Sequence, residues 1–449
     1  MILALCAVQL VNLLIAPSWA EPVARAGFVV LAFAAIYRFG LREWCLLAVA
    51  LALSGALLWQ PGGDTALGTA LGKAAYFSAF IMLIMLLREG AATSASVLAV
   101  GQWITLQPPG RRFVVTWFGA HIAGILMNFG AISLLSPLIQ RGVSVGLGDT
   151  AEDRRRAELR ERRQLSTLVR GFAFVICWAP TSLTQVIIFA SVPGLDVADV
   201  IPLGIGFALL MLFVGWGEDR LRWGPPRLAS LHPKPFPRSA GLDLMFVYML
   251  LVGGALAVTF WLGTELPTAL MTIAPIILIG WVAAQQRGFR PTAERIRDIG
   301  QDAVPRLAQQ AYLLGAAGFI GITAAALAPV DDIATWLAGA GIPNWVVVAA
   351  LPVIITLGGQ VALSPMVMVV FLAAVVTSLP QLPARPEYVA LALGAGWSLS
   401  ITAAPNSTAA LLLAGATGLP PTRLTWAWNG TYSLCVMASF AGLCWAIVG

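Results

Sequence analysis

The sequence predicts an all-α integral membrane protein with about eleven transmembrane helices plus two re-entrant hairpins, arranged as two inverted repeats. Three observations carry this reading: composition, the placement of charge, and an internal match between the two halves. Of 449 residues, 59% are apolar and 11% charged, with a mean hydropathy of +0.85. Soluble domains run near one half and one quarter. At about 20 apolar residues per crossing, this composition supplies roughly ten to thirteen spans. Charge is clustered: 13 of the 48 charged residues lie between Arg141 and Arg170. Such a segment cannot enter hydrocarbon, and its arginines place it in the cytoplasm.

Taken in order, apolar runs fall near 2–18, 24–37, 43–59, 68–87, 112–139, 166–192, 199–216, 242–262, 266–284, 305–327, 345–378, 387–418 and 425–448. The first run ends in the small-x-small pattern Ser18-Trp19-Ala20. It has no basic segment ahead of it, so residues 1–20 are expected to stay as an extra span rather than to be cleaved as a signal peptide. Basic turns at Arg88, at Arg220 to Arg238 and at Arg287 to Arg297 alternate with loops holding Asp64, Asp196 with Asp199, Glu265, and Asp331 with Asp332. This alternation places the N-terminus in the cytoplasm and the C-terminus outside, in a multi-pass inner (plasma) membrane protein of bacterial type. Runs 112–139 and 345–378 must each begin and end on one side, which makes both re-entrant hairpins that line a cavity. Arg170, where the arginine-rich segment meets the membrane, is expected to contact lipid phosphate. The net charge of +6 and pI near 9.4 follow from these cytoplasmic turns and call for no nucleic-acid partner. Five scattered cysteines form neither a disulfide frame nor a metal cluster.

The internal match is the strongest signal. Gly171-FAFVICWAPTS-182 aligns without a gap on Gly396-WSLSITAAPNS-407, sharing Gly, Ile, Ala-Pro and Ser. Upstream, Gly130-AISLLSPLI-139 aligns on Gly358-GQVALSPMV-367 and shares Leu-Ser-Pro. Charge placement starts the first Ala-Pro segment in the cytoplasm and the second outside, so the repeats are inverted. The first spans 21–216 with hairpin 112–139 and broken helix 166–192. A Pro-rich cytoplasmic linker, 217–241, leads to the second, 242–449, with hairpin 345–378 and broken helix 387–418. Inverted repeats with interrupted helices in matching positions point to a secondary transporter with its site near the membrane midplane.

The chemistry of the interruptions names the candidate ligands. Pro180 and Pro405 each remove a backbone donor and disfavour helix at the residue before. The freed carbonyls suit a cation, and the amides of the following half-helix suit an anion. Thr181, Ser182, Thr184, Gln185, Asn406, Ser407 and Thr408 stand where they can cap those half-helices or bind solute directly. Ser133 and Gln360 occupy the matched hairpin windows. The same hydroxyls equally suit carbonyls in a merely Pro-kinked helix. His121 precedes Asn128 by two helical turns and is a candidate proton carrier, with a packing role as the alternative. Neither WAPTSLTQ (178–185) nor AAPNSTAA (403–410) contains a carboxylate. The sequence has no G-x-S-x-G, no H-E-x-x-H and no phosphate-binding glycine loop, and its only histidines are His121 and His232. It therefore reads as a non-enzyme without resident metal or cofactor beyond a sodium ion. A lipid-handling protein or membrane-embedded enzyme is the competing class.

The segments ERRQLSTLVRGFAFVICWAPTSLTQ (161–185) and LGAGWSLSITAAPNSTAALLLAGATG (393–418) resemble the two Pro-containing loops of the divalent anion/sodium symporter family and its relatives in the ion transporter superfamily. In that family a hairpin tip carries Ser-Asn-Thr nine residues before a proline. Pro137 and Pro365 take that part here, which places Met127-Asn128-Phe129 and Ile355-Thr356-Leu357 at the tips. Asn128 is kept and Thr356 stands for the second Asn. The resemblance implies an elevator-type carrier, a homodimer in the lipid bilayer, moving a small carboxylate or oxyanion on a sodium or proton gradient. A proton-coupled exporter or exchanger is the variant reading.

Overall fold

The computed structural model describes residues 1–143, 148, 150–224 and 235–449. The middle of the predicted linker, with Pro225, Pro226, Arg227, His232, Pro233 and Lys234, lies outside the described residues. All regular structure among the described residues is helical. The helices are α1 (Ile2–Ile15), α2 (Ala20–Ala35), α3 (Leu41–Leu58), α4 (Gly63–Ala92), α5 (Ala95–Thr105), α6 (Pro109–Met127) and α7 (Gly130–Val143). They continue with α8 (Ala151–Val175), α9 (Leu183–Ser191), α10 (Val197–Trp223), α11 (Arg238–Leu262), α12 (Leu266–Gln286), α13 (Phe289–Asp298) and α14 (Val304–Leu327). The chain ends with α15 (Val330–Gly339), α16 (Asn344–Gln360), α17 (Pro365–Thr377), α18 (Pro386–Ala403), α19 (Thr408–Thr417) and α20 (Trp428–Val448). Among the described residues, seven helical stretches are long and apolar enough to cross a membrane, as a multi-pass membrane protein requires. The ends of the predicted linker belong to α10 and α11. The polar residues Glu218 to Arg222 thus continue a helix instead of leaving it.

The chain divides into two compact units. The first comprises Met1–Thr93, Met245–Gly341 and Met366–Gln381. Its centre is α4, buried on all sides from Ala74 to Leu87, which is why this helix is apolar all round rather than along one stripe. The α14 helix runs along it, held by Ser78 Oγ donating to Ala311 O at 3.1 Å. Beside them Tyr312 stacks between Phe28 and Phe39, with ring centroids 5.9 and 5.2 Å away.

The second unit comprises Ser94–Leu244, Ile342–Pro365 and Leu382–Gly449. The α8 helix starts exposed and densely charged, then is buried from Gln164 onward. The exposed arginine-rich segment and the buried span are one continuous helix. Along α8 packs α6; in the same way, along α18 packs α16, and α10 and α20 flank them. Arg170 is 3% exposed and does not meet lipid phosphate. Its Nε donates to Asn429 Oδ1 at 2.8 Å, Nη1 to Glu218 Oε2 at 2.9 Å and Nη2 to Trp428 O at 3.3 Å, while its guanidinium lies 4.2 Å over the Tyr432 ring. Two turns earlier Arg163 forks onto Asp219, at 2.9 and 2.5 Å. Arg162 donates to Ala427 O at 2.8 Å. The expectation of a lipid contact fails because Glu218 and Asn429, far away in sequence, supply a planar set of acceptors that satisfies the fork.

A buried pair that loses one partner leaves an uncompensated charge. Glu218→Ala should therefore destabilise the protein by about 3–5 kcal/mol in equilibrium unfolding from detergent micelles. Arg222, half exposed on the same carboxylate, should cost under about 1 kcal/mol when replaced by Ala. Equal effects of the two substitutions would contradict this account of the network.

Candidate functional site

Two helix interruptions lie within the second unit. Between α8 and α9 the chain runs Ile176 to Ser182, and between α18 and α19 it runs Ala404 to Ser407. Four hydrogen bonds at each break correspond at the spacing of the sequence match. Ala179 N donates to Val175 O at 2.9 Å, and Ala404 N to Ser400 O at 3.0 Å. Ser182 N donates to Ala179 O and Ser407 N to Ala404 O, at 2.9 and 3.0 Å. Each serine hydroxyl then donates backwards, Ser182 to Ile176 O at 3.3 Å and Ser407 to Ile401 O at 3.0 Å. Each also caps the next helix, accepting from Gln185 N at 3.3 Å and from Ala410 N at 3.2 Å. One side chain thus satisfies both a carbonyl freed by the proline and an amide orphaned at a helix start.

The glycines that open the matched windows act alike. A Cβ added to Gly171 would lie 2.5 Å from Trp117 O on α6, and one added to Gly396 would lie 2.9 Å from Pro352 Cα on α16. Only glycine allows these helices to approach so closely. The two broken helices also touch. Ser398 Oγ on α18 donates to Ala173 O on α8 at 2.8 Å, and Cys177 Sγ lies 3.2 Å from the same hydroxyl.

Most of the predicted ligands gather at these breaks. At the first, Thr181 Oγ1 donates to Ile125 O at 3.3 Å and Gln185 Nε2 to Ile176 O at 3.0 Å, leaving the buried Gln185 Oε1 unpaired. Thr184 is buried in the first turn of α9. Asn128, half-buried with φ of 51°, forms the turn between α6 and α7, its Oδ1 accepting from Phe129 N at 2.8 Å. At the second break Asn406 and Thr408 are exposed and Ser407 is half-buried. Gln360 Nε2 donates to Ala403 O at 3.3 Å while its Oε1 accepts from Trp426 Nε1 at 2.9 Å. Ser133 stands exposed on α7.

Thr356 departs from the sequence placement. It lies inside α16, donating to Pro352 O at 2.7 Å, and the chain turns instead after Gln360, with Ala362 at φ of 64°. The family spacing counted back from Pro365 therefore overshoots the turn into the helix. His121 is 5% exposed, stacked on Trp117 at 3.9 Å between centroids, and its Nε2 accepts from Trp178 Nε1 at 3.3 Å. A proton placed on Nε2 would break that bond. Two features escaped sequence reasoning. The Trp178 indole reaches His121 across 57 residues of chain, and Arg170 pairs with Glu218 and Asn429; nothing local to either residue signals its partner.

No protein-family model matches the chain, and no curated protein sequence does. Among solved structures, the YdaH transporter of Alcanivorax borkumensis superposes with a TM-score of 0.59 at 15% identity, over 89% of this chain and 97% of its own. The fold is that of a solved membrane transporter. MtrF of Neisseria gonorrhoeae, from a class of antimetabolite efflux pumps, is similar at 13% identity over 83% of this chain and 82% of its own, with a TM-score of 0.49.

Because each serine serves a carbonyl and an amide together, Ser182→Ala and Ser407→Ala should each lower unfolding stability by about 0.5–2 kcal/mol. Unfolding titrations of both variants in the same detergent check this. A loss at one serine and none at the other would show that the two breaks are not built alike.

Proposed function

We propose that the chain is a secondary active transporter that carries a small anionic solute, a carboxylate or oxyanion, by an elevator-type movement coupled to a sodium or proton gradient. The observation that carries the proposal is the pair of matching helix breaks in one unit. Two half-helices, α9 and α19, begin there with first-turn amides beyond those their serines cap, and such helix starts attract anions. The resemblance of the break segments to the divalent anion/sodium symporter family supports the same reading, as does a fold shared with a protein described as a transporter. In this scheme the second unit is the moving body, the first the stationary one, and the protein works as a homodimer in the inner membrane. Asn406, Ser407 and Thr408 meet the solute on one side, and Asn128, Thr181, Ser182 and Gln185 on the other. A sodium ion, if it is the coupling ion, is held by the freed carbonyls and by the unpaired Gln185 Oε1. Binding of both species orders the breaks and lowers the free energy of the crossing state.

Purified protein is screened by thermal shift against small carboxylates, oxyanions and sulfonates, each with sodium, with potassium and at two pH values. One anion class should raise the melting temperature in a sodium- or pH-dependent way, since ligands of the native state stabilise by mass action. Asn406→Ala should remove that shift while the unliganded protein still melts cooperatively. Stabilisation by lipid or apolar solutes alone, with every anion silent, would overturn the proposal.

A further inference from the structure

A cavity of about 280 Å³ opens in the second unit between α10, α16, α18 and α20, lined by Leu203, Gly206, Phe207, Leu391, Phe440 and Cys444 among others. No charged side chain lines it. Water does not fill an apolar cavity of this kind, and a small anion gains nothing there. The flanks of the same helices are strongly apolar and exposed: Phe213 on α10 and Leu434 on α20 are 65% and 67% exposed. Its mouth therefore faces hydrocarbon.

The lining residues also fix its depth. Leu203, Val348 and Leu391 belong to the opening turns of α10, α16 and α18, and Ile447 to the last turn of α20. The cavity thus runs from the ends of these four helices, where a spanning helix meets the membrane–water boundary, inward to Leu210 and Phe440 near the midpoints of α10 and α20. Aromatic side chains of the interfacial type surround it: Trp445 is 66% exposed, Trp345 lies beside Gly449, and Tyr388 carries the Arg385 guanidinium 5.8 Å over its ring. Trp and Tyr collect at headgroup level. Arg385 is exposed at this rim, pairs through Nε with Glu387, and keeps its two terminal guanidinium nitrogens as donors suited to a phosphate.

We propose that this cavity is a phospholipid site: one acyl chain enters between α10 and α20, and the phosphate rests at Arg385 beside Tyr388. The proposal stands apart from the transport reading, since none of the residues at the helix breaks takes part in it.

Native mass spectrometry of the full chain, purified in mild detergent, tests it. Wild type should retain one phospholipid per chain under activation that strips the rest. A Cβ at Gly206 meets nothing within 4 Å, so Gly206→Phe fills the cavity without a backbone clash, and retained lipid should fall by about tenfold or more. Leu391→Phe should act likewise, whereas Leu434→Phe on the exposed face of α20 should leave the lipid in place. Separately, delipidated wild type titrated with a phospholipid should gain thermal stability that saturates at one equivalent per chain, and glycerophosphocholine, the headgroup without tails, should give none. Equal lipid retention in wild type and Gly206→Phe would overturn the proposal. So would unchanged retention accompanied by loss of a dimer in Gly206→Phe, which would place a second copy of the chain on this face. A stability gain from the tail-less headgroup as large as that from the intact lipid would overturn it too.

Discussion

The second unit depends on one constraint: a backbone interrupted inside an apolar helix must find its hydrogen-bond partners within the protein. At the buried Ile176 and Ile401 water does not supply them, and an unpaired amide or carbonyl in a low-dielectric setting costs several kcal/mol. Pro180 and Pro405 create this problem at matching positions, and the chain solves it the same way twice. A serine two residues after each proline turns its hydroxyl onto the isoleucine carbonyl behind and offers its oxygen to the amide ahead. Gly171 and Gly396 then let α6 and α16 close over the broken helices. The equivalence of the two breaks thus extends from residue identity to individual hydrogen bonds and to the helix that covers each.

The breaks differ in what surrounds this shared frame. The first is lined by Thr181, Ser182 and Gln185, all buried, and is tied to α6 through Ile125 O. The second leaves Asn406 and Thr408 exposed and is bridged from α16 by Gln360. Beyond the breaks, Arg163 and Arg170 fasten α8 to α10, and Arg170 reaches on to the start of α20. An ion pair buried this deeply adds little net stability, because desolvation offsets most of the Coulomb gain. Its geometric demands are strict, however, and they fix the rotation of three helices about their axes, the Arg170 contacts lying less than two turns before the first break.

The sequence exposed those parts of the architecture that arise from local causes. Proline acts on its own residue and the one before it, so the breaks fell where the Ala-Pro segments stood. Length and composition likewise set the all-helical membrane fold, and hairpin run 112–139 resolves into α6 and α7 around Asn128. The failures have nonlocal causes. The sequence around Arg170 does not show its partners, because Glu218, Asn429 and the Tyr432 ring come from other helices. Counting back from Pro365 points to a turn at Thr356, but a helix in an apolar setting continues until something interrupts it, and α16 runs on to Gln360. The roles of Gly171 and Gly396 were hidden too. Their identity was visible in the match, whereas the helices they admit were not.

Accessibility of the second break from each side of the membrane is the measurement that bears on the proposed alternating access. Asn406→Cys is placed in a chain whose five native cysteines are replaced, reconstituted in oriented vesicles, and treated with an impermeant thiol reagent from either side. Alternating access requires labelling from both sides, in proportions that shift when solute and coupling ion are supplied together. Labelling confined to one side under every condition, with the protein folded and inserted, would contradict alternating access around the broken helices.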